Sequence, residues 1–346
     1  MTTQSRLRVV LALLMAVSMA HVRAEGEAVN GFPNWSERVL LEWSNRARSD
    51  PQVEMTSCGA RCGDAACYNP IAPLHWSANL AHAARFHAEN MAKMNFLAHD
   101  SACTLVNNIA TLYPSSCDAS ASCSCVGGVA ACNGGCTVWY NRIALFGGSA
   151  SAEVIATASD PNSAFYQWLY ENYLMLMQPP NCHYDFGPPT NGHRWNILTS
   201  TGTVGAGQTA STASVMDFSG SASTSSKIPS GSHYPQQATN VDAWVNWYDT
   251  AGPSVTKFDV DGVCSDMSLA RGSALNGAWH VSVSNVGSGC HRYFFAFKDS
   301  AGGEVLYPTT GSLAIGDGSA QCPDWSSAAP AGCAGFDRIF ANAFEQ

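Results

Sequence analysis

Apolar residues recur at helical spacing in three segments of the first half of the chain, and each segment predicts a helix. The first predicted helix spans residues 36–47 and ends before Pro51, because proline disfavours helix in the residue that precedes it. Its apolar stripe is Val39, Leu40 and Trp43. The second begins after Ser77, a favourable N-cap, and reaches residue 96, and the third covers residues 163–176.

Short β-prone runs lie among these helices. The best examples are residues 142–146, 203–208 and 213–218. Helices interleaved with a few strands indicate layered packing of helix on sheet.

The pattern changes after residue 219. Residues 219–232 are rich in serine, glycine, threonine and alanine and have no hydrophobic period, which is typical of a flexible linker. Beyond them, short alternating runs separated by turn residues predict an all-β sandwich. These runs are residues 244–247, 255–260, 279–286, 293–297 and 305–307. We therefore predict a first domain over residues 25–219, a linker over 220–239 and a β domain over 240–346.

Residues 1–24 have the layout of a secretory signal peptide. Arg6 and Arg8 form a basic start, residues 9–20 are apolar apart from Ser18, and small residues offer a cleavage site after Ala24. The apolar run is too short to anchor the chain across a bilayer core of about 30 Å. We therefore expect a mature protein without an integral membrane segment, secreted to the extracellular space or the periplasm.

The charge of the chain argues against one class of partner. The sequence has 17 basic and 26 acidic residues, and loss of residues 1–24 leaves 14 basic and 26 acidic residues, a net charge of −12. Polyanion binding through bulk charge requires clustered lysine and arginine. We therefore expect no nucleic-acid partner.

All 14 cysteines follow the predicted cleavage site, which indicates disulfide bonds in an oxidising compartment. Ten precede residue 220 and four follow it, as two separately cross-linked domains would have. In the second set we expect the pairs Cys264–Cys290 and Cys322–Cys333. Six cysteines lie between Cys103 and Cys136. A zinc knuckle is the alternative there, but the spacings do not form two C-x-x-C units, so disulfides are favoured.

Two histidines and two glutamates of the first domain are the candidates for chemistry. His99 follows the second predicted helix, Glu153 lies before a short apolar run, Glu171 lies on the third predicted helix, and His193 precedes Arg194-Trp195. Taken singly, such residues are more often structural or solvated than functional. His87 lies on the apolar face of the second helix and is expected to be a packed, hydrogen-bonded histidine.

The order and the residue sequences of the segments around these residues resemble those of the CAP superfamily. This superfamily comprises cysteine-rich secretory proteins, antigen-five venom proteins and pathogenesis-related class-one proteins. The match is clearest to its bacterial secreted branch and covers roughly residues 35–219. The matching segments are 41–48 (LEWSNRAR), 74–76 (LHW), 84–92 (ARFHAENMA), 96–101 (FLAHDS), 141–143 (NRI), 168–171 (WLYE), 192–198 (GHRWNIL), 204–207 (VGAG) and 216–218 (MDF).

The resemblance implies an α+β fold, a three-layer α-β-α sandwich with a central cleft. It also implies that His99, Glu153, Glu171 and His193 line that cleft. Imidazole and carboxylate ligands suit Zn²⁺, and oxygen-rich variants suit Mg²⁺ or Ca²⁺, so the four residues are the candidate ligands of a divalent cation. The alternative is a hydrogen-bonded polar network that needs no metal.

Two features depart from the family pattern. The family usually has Gly-Glu-Asn around its first acid, whereas this chain has Ala152-Glu153-Val154, which makes Glu153 the least secure of the four. The family also has a short connection where this chain carries a cysteine-rich insertion over residues 102–137. We expect the insertion to form a disulfide-linked rim beside the cleft.

The expected function is that of a secreted, non-catalytic binding module for lipid, cell-wall or host-surface partners. The sequence has no HExxH helix and no recognisable serine or cysteine nucleophile, so enzyme activity is left open but not favoured. The alternatives are a metal-dependent extracellular hydrolase that uses the same four residues, or an adhesin that acts through the β domain. That domain is similar to immunoglobulin-like modules, and the aromatic tail after residue 335 is a sorting signal or a last strand. The sequence does not indicate an oligomeric state.

Overall fold

The computed structural model describes residues 31–128, 136–171, 182, 191–209, 213–220, 226–328, 330, 332–334 and 336, so the predicted signal peptide lies outside the described residues. The chain has an α+β fold, as expected. The helices are α1 Trp35–Ser49, α2 Pro51–Glu54, α3 Ala78–Met94, α4 Ile109–Leu112, α5 Ala121–Ser124, α6 Trp139–Leu145, α7 Pro161–Tyr170 and α8 Gly192–Thr199, with short 3₁₀ segments at Thr56–Cys62, Ala65–Cys67 and Val126–Gly128.

Three sheets contain the strands. The strands are β1 His75–Trp76, β2 Ala152–Ala156, β3 Thr203–Gln208, β4 Ser214–Ser219, β5 Ser230–Tyr234, β6 Val241–Tyr248, β7 Val255–Val260, β8 Val263–Asp266, β9 Ser268–Gly272, β10 Asn276–Val283, β11 His291–Lys298, β12 Glu304–Tyr307, β13 Ser312–Ile315 and β14 Trp325–Ser326. The first sheet has the order β1-β3-β4-β2, the second has β5-β6-β10-β9, and the third has β14-β13-β11-β7-β8 with β12 paired to β11.

Two of the predicted helices are confirmed with their caps. Asn34 caps α1 through a capping box, because its side chain accepts from the Glu37 backbone and the Glu37 carboxylate accepts from the Asn34 N–H. Ser77 caps α3, where its hydroxyl oxygen accepts from Leu80 N. These side chains satisfy backbone donors that a helix leaves unpaired at its start.

Two predictions of local structure were wrong. Residues 142–145 form part of helix α6 rather than a strand, and Phe146 is its C-cap, because Ile143 and Phe146 pack into one apolar cluster with α3. The third predicted helix ends at Tyr170, and Glu171 is its C-cap in the left-handed conformation (φ 50°). Glu171 therefore does not lie on a helical face, and residues 172–176 lie outside the described part of the chain.

Helices α1 and α3 pack on opposite faces of the first sheet. Val154 of β2 belongs to the same core as α1, whereas its neighbour Ile155 packs against the core of α3. Successive residues of a strand point to opposite faces, so the two helices enclose the sheet. Gly205 and Gly207 of β3 allow this approach, because a Cβ at either position would overlap the backbone of α3.

The second and third sheets face each other over a shared apolar core. Val245 and Trp247 of β6 pack in this core with Phe258 of β7 and Phe295 of β11. All five predicted β runs coincide with strands in these two sheets. Strand β5 lies within the predicted linker and pairs with β6, so this part of the segment is buried sheet rather than a free connection.

Helix α1 lies between the first sheet and the second sheet. All fifteen of its residues are buried, and it contacts β3 as well as β5, β6 and β10. Arg38 forms an ion pair with Asp324 at 2.6 Å, and the Glu42 carboxylate accepts from Ser230 at 2.7 Å. The two predicted domains therefore share one core element.

Disulfide bonds are confirmed, and no described cysteine is free. The expected pairs Cys264–Cys290 and Cys322–Cys333 were wrong. The described bonds are Cys58–Cys62, Cys67–Cys182, Cys103–Cys125, Cys117–Cys123, Cys264–Cys333 and Cys290–Cys322, and Cys136 is also disulfide-bonded. The observed pairing differs because the third sheet brings β8 beside the chain end, which nearest-neighbour spacing could not reveal.

The cysteine-rich insertion covers the outer face of α3. Leu105, Ile109 and Tyr113 of the insertion share an apolar cluster with Leu80 and Phe86 of the helix. The two ends of the insertion meet, because Ser101 N donates to Thr137 O at 3.0 Å and Thr137 N donates to Cys103 O at 3.1 Å.

No helix among the described residues is both long and apolar enough to cross a lipid bilayer.

Candidate functional site

Glu153 lies near the centre of strand β2 and is held by two cationic or polar partners. Its side chain is 1% exposed, and its Oε1 accepts from His99 Nδ1 at 2.8 Å. Its other oxygen is ion-paired to Arg142 Nη2. Arg142 also donates to the His99 carbonyl at 2.7 Å, so one guanidinium fixes both the carboxylate and the segment that carries the histidine. The helical geometry of α6 therefore positions this half of the site.

The His99 ring is oriented by this contact. A carboxylate at Nδ1 selects the tautomer with hydrogen on that nitrogen and leaves Nε2 as a lone-pair acceptor. The His99 side chain is 47% exposed, and no described residue bonds its Nε2 atom. His99 therefore presents an oriented, solvent-accessible nitrogen.

Asp217 lies opposite Glu153 in the pairing of β2 with β4. Its side chain is fully buried, and neither carboxyl oxygen accepts a hydrogen bond from a described donor. Burial and the adjacent Glu153 charge raise the pKa of Asp217 well above its usual value. The raised pKa favours the protonated form of Asp217, and the Glu153 carboxylate is the adjacent acceptor for its proton.

The pKa of Glu153 moves in the opposite direction. Burial alone would raise it, but the Arg142 charge and the His99 hydrogen bond outweigh burial and lower the pKa of Glu153 to about 2. The two carboxyl groups thus share one proton, and Glu153 carries the negative charge.

His87 completes the buried side of this group, and its expected structural role is confirmed. It is fully buried and its Nε2 donates to Ala98 O at 2.8 Å. Burial and the Arg142 charge lower the pKa of His87 to about 3, so it stays neutral at physiological pH.

Glu171 and His193 form a second histidine–glutamate pair. The Glu171 carboxylate is 1% exposed and lies 3.1 Å from His193 Nδ1. It also accepts from the backbone N–H groups of His193 and Arg194, at 2.8 and 3.2 Å. These donors are at the first turn of α8, where a carboxylate is favoured by the helix dipole. Glu171 therefore fixes both the ring of His193 and the start of its helix.

Arg194 anchors α8 to the loop before β1. Its Nη1 donates to Asp64 at 2.5 Å, its Nε donates to Leu169 O at 2.7 Å, and the guanidinium is fully buried. Tyr68 donates to the same Asp64 carboxylate at 2.9 Å. This network holds the helix that carries His193.

The two pairs lie on neighbouring elements, because α8 contacts β2. The four predicted residues do not, however, bring three ligand atoms within 4.8 Å of one another. Each glutamate instead bonds the Nδ1 atom of its histidine, so the carboxylates orient the rings. The described arrangement supplies two imidazole nitrogens as candidate ligands and does not assemble a four-ligand metal centre.

Asp259, Cys264 and Cys333 form a separate group of potential ligand atoms within that distance. Cys264 and Cys333 are joined by a disulfide, and a metal prefers thiolate sulfur. This group is therefore a disulfide beside a buried carboxylate and not a metal site.

Four residues of this site were not predicted from the sequence. Arg142 and Arg194 lay in the quoted motifs, but the partner of Arg194 is 130 residues away, and the partner of Arg142 lies 11 residues further on in a strand rather than in the same helix. Asp217 had one usable signal, since a charged residue between buried Met216 and Phe218 in a strand requires a partner. Asp64 had no comparable signal.

Neither the models of known protein families nor the curated proteins include a match to this chain. The geometry of the two histidine–glutamate pairs is therefore the basis for any functional conclusion.

Proposed function

We propose that the chain is an exported member of the CAP superfamily that binds a lipid, cell-wall or cell-surface ligand at the surface formed by His99 and His193. The ordered motifs of residues 35–219 and the enclosure of the first sheet by α1 and α3 support a CAP sandwich. The disulfides support a location outside the cytosol.

The observation that carries the proposal is the support behind His99. A half-exposed imidazole bonds through Nδ1 to the buried Glu153, which Arg142 and the adjacent Asp217 support, and no described residue bonds its Nε2. A preorganised, exposed hydrogen-bonding group is a feature of recognition sites. No described hydroxyl or thiol contacts the His99 ring, so nucleophile activation has no partner there and binding is the better-supported role.

We expect His99→Ala to reduce binding to the native ligand surface by at least about fivefold, because it removes the oriented nitrogen while the Arg142–Glu153 ion pair remains. Co-sedimentation of the whole protein with anionic phospholipid vesicles and with insoluble peptidoglycan measures this. His291→Ala is the matched control, since His291 also pairs through Nδ1 with a carboxylate, that of Asp261 at 2.6 Å, in the third sheet.

Equal losses in the two variants, or no binding to either surface, would contradict the proposal. The alternative is a metal-dependent hydrolase, which the oriented Nε2 atom would also suit as a base or a ligand. That function predicts turnover that is abolished by chelation and by His193→Ala. Turnover assays with and without a chelator separate the two cases, and titration with Zn²⁺ and Mg²⁺ shows which metal to supply.

A further inference from the structure

One buried cation lacks the partner that the others have. Six described arginines are buried, and five form ion pairs with carboxylates: Arg38 with Asp324, Arg46 with Glu54, Arg85 with Glu37, Arg142 with Glu153, and Arg194 with Asp64. Arg48 is the exception, with 1% of its surface exposed and no described carboxylate beside it. An unpaired buried charge is costly, so this difference requires an explanation.

The contacts of Arg48 leave part of its hydrogen-bonding capacity unused. Nε and Nη2 donate to Ala72 O at 3.0 and 2.6 Å, and Nη1 donates to Ile197 O at 2.7 Å. A guanidinium has five N–H groups, so these bonds leave two. Arg48 lies in the last turn of α1, where the helix dipole offsets part of its charge. Burial lowers the pKa of Arg48 to about 9, so it is still charged at neutral pH.

A cavity of about 290 Å³ adjoins this side chain. Arg48, Tyr68, Ile71, Pro73, Leu198 and Thr201 are among its lining residues. The lining contains no other ionisable side chain apart from Tyr68, whose hydroxyl is engaged by Asp64. None of His99, Glu153, Glu171 and His193 lines it, so this cavity is separate from the histidine–glutamate pairs.

We propose that this cavity binds a small organic monocarboxylate, whose carboxylate pairs with Arg48 and whose short apolar body packs on Ile71, Pro73 and Leu198. A carboxylate matches the fork of a guanidinium and supplies one negative charge for one cation. A phosphate dianion would bring a second charge without a second cation and would leave the apolar wall unused. The volume is at the lower end of small-molecule sites, about 300–1,000 Å³, which favours a short ligand.

Benzoate and butyrate are suitable probes, and benzamide and butyramide are their neutral counterparts. Isothermal titration of the whole protein should give a Kd for at least one acid that is at least about tenfold lower than that of its amide. Arg48→Met should abolish this preference. Thr201→Trp should weaken acid binding by at least about tenfold, because it fills the cavity at an exposed position without touching the Arg48 hydrogen bonds. Thr309→Trp, an exposed threonine in the β region, is the control.

The inference is wrong if neither acid binds more tightly than its amide, or if only inorganic phosphate binds. It is also wrong if Thr201→Trp and Thr309→Trp bind the acids equally. If Arg48→Met does not fold, the comparison of these two tryptophan variants decides the question.

Discussion

Each histidine of the candidate site is supported by a carboxylate on its Nδ1 atom, but the two carboxylates are held in different ways. Glu153 is held by Arg142 and by the proton of Asp217, inside a sheet. Glu171 is held by backbone N–H groups at the start of α8. Burying a charge is costly unless it is paired or hydrogen-bonded, and both carboxylates have such partners.

We expect Asp217→Asn to stabilise the fold at neutral pH. In the wild type the raised pKa of Asp217 means that folding takes up a proton, so its stabilising contribution is complete below pH 3.8 and falls as pH rises. The asparagine side chain has the shape of a protonated aspartate and takes up no proton on folding. The gain should grow as pH rises above 3.8, by up to about 1.4 kcal/mol for each pH unit until the raised pKa is reached, and urea denaturation over a pH series measures it.

The carboxyl carbon of Asp217 gives an independent reading of the same prediction. In ¹³C-aspartate-labelled wild type, one carboxyl resonance should titrate at a higher pH than those of the other aspartates, and it should be missing from Asp217→Asn. If no aspartate resonance titrates above the ordinary range, the shared proton does not exist. Asp266→Asn is the control, because its side chain is 83% exposed.

At the residue scale, the sequence predicted which residues belong to the site better than it predicted which side chains they contact. The resemblance selected His99, Glu153, Glu171 and His193, and the structure joins them in two pairs. It could not predict that Arg142 and Asp217 meet at Glu153, because a helix and a strand far apart in sequence supply them. Partner choice depends on tertiary contacts that periodicity does not encode.

At the scale of elements, the insertion is a structural cover for α3, and its expected role as a rim stays a prediction. Its apolar residues bury Leu80 and Phe86, which would otherwise face solvent. The two ends of the insertion are close in sequence to His99 and Arg142. The segments that carry these two residues are joined by a hydrogen bond from Trp139 N to Asp100 at 3.1 Å. The effect of the insertion on ligand entry stays a prediction.

We expect excision of residues 103–136 to destabilise the protein, since it uncovers the outer face of α3. Leu105→Ala tests the same packing by creating a single cavity, and it should lower the free energy of unfolding by about 2–5 kcal/mol. Urea denaturation measures both changes. The exposed Val126, at 57% exposure, provides the control Val126→Ala, which should change stability by less than about 0.5 kcal/mol. Unchanged stability of Leu105→Ala would show that the insertion does not support the helix.

The elements that the sequence predicted well have long periodic patterns. Helices α1 and α3 and the five β runs were found because each pattern repeats over several residues. Residues 142–146 were misassigned because a run of five apolar and basic residues fits a helix or a strand equally well. The helix end at Tyr170 was missed because it depends on the left-handed turn at Glu171, which has no glycine to mark it.

At the scale of the molecule, α1 joins the two regions through polar contacts that are fully buried. Glu42 accepts from Ser230 Oγ at 2.7 Å and from Asn246 Nδ2 at 2.6 Å. Burial raises the pKa of Glu42 to about 8, against the smaller opposing effects of these hydrogen bonds and of Arg46. The raised pKa favours the neutral form of Glu42 in the folded protein near pH 7.

We expect the contribution of Glu42 to stability to fall as pH rises from about 4.5 to about 8, because Glu42 takes up a proton on folding within this range. Glu42→Gln should remove its part of this slope and gain a few kcal/mol over wild type at pH 8. Thermal and urea unfolding at pH 5, 6, 7 and 8 measure the effect. Curves for Glu42→Gln and wild type that stay parallel across this range would exclude the proposed protonation.

The position of α1 also determines when the folding of this protein can be completed. The helix is made early in synthesis, yet the strands that cover its outer side begin at Ser230, and the partner of Arg38 is Asp324. In a chain truncated before these residues, charged and aromatic side chains of α1 have no packing partner on the outer side of the helix. Truncated products should therefore be recognised and degraded by proteases, so that only full-length molecules accumulate.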